Sequence, residues 1–89
     1  KSENVIDLSS PLLIRIKFQH KNLRDLDTLK STFYKISIID NYSLEEFNIN
    51  YSFFKIYYYG NPKRLRTELL KFGYQLNNDQ GHWGLYIND

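Results

Sequence analysis

Phe53, Lys55, Tyr57 and Tyr59 stand at every second position of YSFFKIYYYG, the stretch from Tyr51 to Gly60. Residues two apart on a strand project to one side. Rings interleaved with a cation on such a face can stack on nucleic-acid bases or pack against the side chains of a protein partner. A second set lies in LLIRIKFQH, Leu12 to His20, where Arg15 and Lys17 fall between Ile14, Ile16 and Phe18. A third is the cluster Lys63, Arg64 and Arg66 just after Asn61-Pro62, where the free N–H groups of a helix start could hold an anion. The plainer role for those three is a solvated helix face.

Other reactive residue types do not converge. His20 and His82 are far apart in sequence, and no further ligand has the spacing of a metal site, so both are expected exposed at strand ends. Glu45 and Glu46 are adjacent and would point to opposite faces of a strand; Asp25 and Asp27 form a pair only in the trivial sense. Ser9, Ser10 and Ser43 lack an identifiable base. The four glycines are scattered and build no phosphate-cradling loop. The expectation is a domain without catalytic residues, metal or cofactor.

The elements that would carry these residues follow from period and punctuation. KSENVIDLSSP, residues 1–11, is polar and turn-rich and reads as a linker or domain joint; residues 12–89 read as one domain. In Leu12 to His20, Leu12, Ile14, Ile16 and Phe18 alternate with Leu13, Arg15, Lys17 and Gln19, the pattern of a half-buried strand. From Asn22 the period becomes helical, with Leu23, Leu26, Leu29 and Phe33 recurring, Asn22 as N-cap, and an end near Lys35. Ile36 to Phe47 is β-prone with room for a bulge at Asp40-Asn41, and Asn48-Ile49-Asn50 turns it into the aromatic strand as a hairpin. NPKRLRTELLKFG is a helix capped by Asn61, started by Pro62, packed through Leu65, Leu69 and Phe72, and stopped at Gly73. The tail offers a short strand at Tyr74 to Leu76, a polar turn, and a final strand at His82 to Ile87 with Trp83 anchoring the core edge.

The order strand, helix, strand, strand, helix, strand predicts a ferredoxin-like βαββαβ fold: an antiparallel sheet with two helices on one face and the other face open. Phe54, Ile56 and Tyr58 with Ile14, Ile16 and Phe18 are then core, while Arg15, Lys17, Phe53, Lys55, Tyr57 and Tyr59 line the open face.

The run IYYYGNPKRLRTELLKFGYQLNNDQGHWGL, Ile56 to Leu85, resembles a family of bacterial proteins known as domain of unknown function number two-thousand-and-sixty-six. The matching positions are Tyr58 and Gly60, Leu65 and Leu69, Gly73 with Leu76, and Gly81-x-Trp83-x-Leu85. The resemblance implies a protein of the Gram-negative cell envelope or periplasm, and it carries over no catalytic residues.

At 89 residues the chain supports one modest core. Its 12 Lys+Arg against 10 Asp+Glu, a net +2, is too slight for a domain devoted to duplex DNA. Without cysteine there is no disulfide framework or thiolate metal site. No apolar run reaches the roughly 20 residues of a membrane-spanning helix. The lack of methionine, even at position 1, suggests a piece of a longer protein. The expected partner is therefore another domain of the parent protein or a second copy, docked on the open face. Single-stranded nucleic acid is the alternative: the SFFKIY stretch echoes the stacking strand of RNA-recognition modules, but Ser52 replaces the glycine that motif expects.

Overall fold

The computed structural model describes residues 10–79 and 82–88 of the chain. Most of the expected linker, residues 1–9, and the end of the expected turn, residues 80–81 with Gly81 of the resemblance motif, lie outside the described residues. The elements in order are β1 (Leu12–Gln19), α1 (Leu23–Lys35), β2 (Ile39–Phe47), β3 (Tyr51–Tyr58), α2 (Pro62–Lys71), β4 (Tyr74–Asp79) and β5 (His82–Ile87).

Both helices start where side chains can satisfy free N–H groups. Asn22 accepts from the Asp25 N–H at 3.1 Å, and the Asp25 carboxylate accepts in return from the Lys21 N–H. Asn61 accepts from the Arg64 N–H at 2.8 Å ahead of Pro62. α1 buries Leu26, Leu29 and Phe33 and leaves Leu23 half exposed; α2 buries Leu65 and Leu69 and leaves Phe72 at 40 % exposure. α2 stops at Gly73, whose φ of 89° is open to glycine at no steric cost.

The sheet corrects the expected fold. It has five strands in the order β2-β3-β1-β5-β4, and β5 runs parallel to β1. It is therefore a mixed sheet, not the antiparallel four-position sheet of a simple ferredoxin-like βαββαβ domain. The first four elements follow the expected topology: β1 and β2 both lie antiparallel to β3. The departure is in the tail, where β4 extends to Asp79 instead of ending at Leu76, and Asn77 and Asn78 pair with Gly84 and Trp83 instead of forming a turn. β5 folds back from β4 and inserts between β4 and β1. Because β4 is antiparallel to β5, it runs in the direction of β3, as the α2 crossover requires. The polarity of the two tail strands accounts for which one is outermost. Leu85 and Gly84 of β5 are buried, whereas Gln75, Asn77 and Asn78 of β4 suit a sheet margin whose backbone meets water.

One core lies under the helices. Ile14, Ile16, Phe18, Phe54, Ile56 and Tyr58 are all at or below 4 % exposure and pack with Leu26, Leu29, Phe33, Leu65, Leu69, Leu76 and Leu85. Phe33 meets Phe54 edge-on with ring centroids 5.5 Å apart. The alternation of β3 thus sorts its residues as expected, with Ser52, Phe54, Ile56 and Tyr58 inside and Tyr51, Phe53, Lys55 and Tyr57 on the reverse. Among the described residues, no helix is long and apolar enough to cross a membrane.

Candidate functional site

Strand pairing arranges the uncovered face in rows. Gln75, Tyr86, Gln19 and Tyr51 form one row across β4, β5, β1 and β3; Asn77, Gly84, Lys17, Phe53 and Glu46 form the next, reaching β2. Arg15, Lys55 and Ser43 make a third, and Leu13, Tyr57 and Asn41 a fourth. The structure thus brings together Arg15, Lys17, Phe53, Lys55 and Tyr57. Tyr59 lies just past the end of β3, half-buried, with its N–H donating to the Ile38 carbonyl.

The centre of this face is layered. The Arg15 guanidinium lies over the Phe53 ring at 4.8 Å from its centroid, and the Lys17 ammonium lies over Tyr51 at 4.6 Å. Both cations lean along the sheet in the same sense, from their own row toward a ring in the next. Tyr51 and Phe53 meet edge-on at 5.6 Å beneath them. An incoming partner therefore meets cationic heads first and rings second.

Glu45 completes the arrangement, and sequence reading missed it. Its carboxylate accepts from Arg15 Nε at 2.6 Å and lies 3.4 Å from Lys55 Nζ. It reaches them because it stands two residues past Ser43, which lies opposite Lys55 on the uncovered face; a bulge between Leu44, opposite Phe54, and Glu46, opposite Phe53, then sets Glu46 on that face too, against the opposite faces expected for the pair. Strict alternation is suspended at such a bulge. The Arg15 hydrogen bond holds the Glu45 carboxyl below its ordinary range; desolvation opposes it, and Lys55 adds a lesser lowering. Lys17 has no carboxylate within ion-pair distance among the described residues.

On the β5 side, Tyr86 lies across Gly84. A Cβ at Gly84 would come within 2.7 Å of the Tyr86 hydroxyl oxygen, so the bare backbone is what lets the ring lie there. Beside it, Gln75 Nε2 donates to Asn77 Oδ1 at 3.2 Å.

The other sequence candidates separate. Arg66 Nε donates to the Leu76 carbonyl at 3.0 Å, which directs it toward β4, and the N–H of Arg64 is already held by Asn61. Lys63, Arg64 and Arg66 therefore do not present one anion cradle. His20 is the clearest departure: expected exposed, it is 6 % exposed, with Nε2 and the buried Ser52 Oγ 2.9 Å apart. Its Nδ1 is buried without a protein partner. The β1/β5 register sets His82 level with Arg15, about five residues or roughly 16 Å from His20 along the sheet. Among the described residues, no three His, Cys, Asp or Glu side chains cluster as metal ligands would. A cavity of about 480 Å³ opens beside His20, Asn22, Asp25 and Tyr86, and one of about 370 Å³ lies between α1 and β2, lined by Phe33, Tyr34 and Tyr42. Ser52 is fully buried and lines neither of them, so the Ser52–His20 pair does not have the access a nucleophile needs. No family model, no curated protein and no solved structure matches this chain, so the face is read from its own geometry.

Proposed function

We propose that this domain is a non-catalytic interaction module that docks a protein surface, from another domain of its parent protein or from another subunit, on the uncovered face of its sheet. The observation that carries this reading is the layering of Arg15 over Phe53 and Lys17 over Tyr51. A base-stacking platform needs open ring faces; here two rings are roofed by cations and a carboxylate, Glu45, sits among them. A protein surface can satisfy rings, cations and carboxylate together, as mixed aromatic and Arg-containing interfaces do. The cell-envelope setting belongs to the same proposal and rests on the family resemblance.

A photo-crosslinking amino acid placed at Tyr57 or Phe53 in cells of the source organism tests it, with Ser31 on the exposed side of α1 as control. Discrete protein adducts from the sheet positions and none from position 31 support the reading. Nucleic-acid adducts, or equal yields from all three positions, reject it.

A further inference from the structure

Building on the docking face proposed above, we infer that its occupant is an acidic, extended protein segment with the pattern apolar-x-acidic-x-acidic. The argument is charge and spacing along β1. Leu13, Arg15 and Lys17 point to the uncovered face at successive intervals of about 6.6 to 6.8 Å, the two-residue repeat of a strand. Leu13 is 53 % exposed and lies opposite Tyr57, an apolar seat. Arg15 gives Nε to Glu45 and keeps its other guanidinium donors; Lys17 keeps its whole ammonium apart from the ring beneath it.

Glu45 shows what this surface accepts. Its carboxylate is held by Arg15 and Lys55 from a bulge on the neighbouring side of the sheet, so a carboxylate is already a fitting guest on that flank. The positions not so matched are Lys17 and the outer side of Arg15. A partner strand carrying side chains at the same two-residue repeat sets one apolar group over Leu13 and Tyr57 and two carboxylates over Arg15 and Lys17.

The test uses the 89-residue chain and three probes: a peptide of two Leu-Thr-Glu-Thr-Glu repeats, its counterpart with Gln for Glu, and a ten-nucleotide polyuridine strand. Binding is read from amide chemical shifts. The expected result is saturable shifts at Leu13, Lys17, Phe53 and Tyr57 with the Glu peptide alone, weakened by salt. Lys17→Glu should weaken that binding by about tenfold or more, and Lys17→Gln by less, both with the fold intact by circular dichroism. Equal binding of the Glu and Gln peptides overturns the inference, as do binding of the polyuridine strand in preference to either, self-association through this face, or no binding of the Glu peptide at millimolar concentration. Protein adducts in the crosslinking experiment combined with any of these would leave the docking face standing and remove only the acidic partner.

Discussion

Ser52 and His20 hold a polar contact between buried side chains, and its removal has a predictable cost. Ser52→Ala leaves His20 Nε2 without its hydroxyl partner while Nδ1 already has none in the protein. A buried polar atom stripped of its partner costs about 1 to 3 kcal/mol, so urea denaturation should show a loss in that range; an unchanged midpoint would mean the contact contributes nothing. On the other face, Glu45 makes a prediction in pH. Its folded pKa is lowered, so the contribution of its bridge is complete above the ordinary glutamate value of 4.5 and disappears as pH falls through the folded value. The Arg15 hydrogen bond is the largest cause, so Arg15→Gln should move the Glu45 carboxyl-carbon NMR midpoint upward by more than Lys55→Gln does. The reverse ranking would place the main partner at Lys55.

The elements differ in how well their residues announce them. β3 was legible because every alternate side chain from Ser52 to Tyr58 is buried, and period two survives in the sequence. Phe54 stands at its centre, fully buried and edge-on to Phe33. Phe54→Ala is expected to cost about 3 to 5 kcal/mol, read as a fall in denaturation midpoint. α2 was legible from both ends, through the Asn61 cap and the Gly73 stop. At Gly73 there is open space for a Cβ, so the expected destabilisation of Gly73→Ala, about 1 to 2 kcal/mol, comes from backbone strain at φ 89° alone. A neutral result there would mean the helix end can relax out of the left-handed region. The tail was not legible because Asn77 and Asn78 have turn chemistry but sit in an outermost strand, where polar side chains are tolerated. Glu45 was hidden for a different reason. Its side follows from alternation with Ser43, but its partners Arg15 and Lys55 lie on two other strands, and meeting them depends on how β2 and β1 register against β3, which the pattern within β2 does not encode. His20 reads as a polar strand end; its burial depends on Ser52 arriving from a strand 32 residues away.

Across the whole molecule, two buried phenols connect pH to the closure of the core. Tyr58 on β3 and Tyr74 on β4 are 2 % and 5 % exposed, and β1 and β5 lie between their strands. Burial raises the pKa of each above the ordinary 10.0; at Tyr74 a hydrogen bond with Thr32 opposes this and the Asp25 charge adds to it. The unfolded chain therefore loses these protons first. Stability is complete below about pH 10 and declines as pH rises through the folded values, the sense required for groups whose folded pKa is raised. Since the two rings sit in one continuous core, neither can reach hydroxide without opening the sheet–helix layer that covers both. Their ionisation should coincide with global unfolding. The measurement is the tyrosinate absorbance of the native sequence minus that of Tyr58→Phe/Tyr74→Phe, followed with far-ultraviolet circular dichroism. The difference signal and the loss of structure should share one midpoint, and the double variant should unfold at higher pH. A difference signal that rises while the circular dichroism stays native would show the two hydroxyls reaching solvent separately, and the single core joining β3 to β4 would not hold.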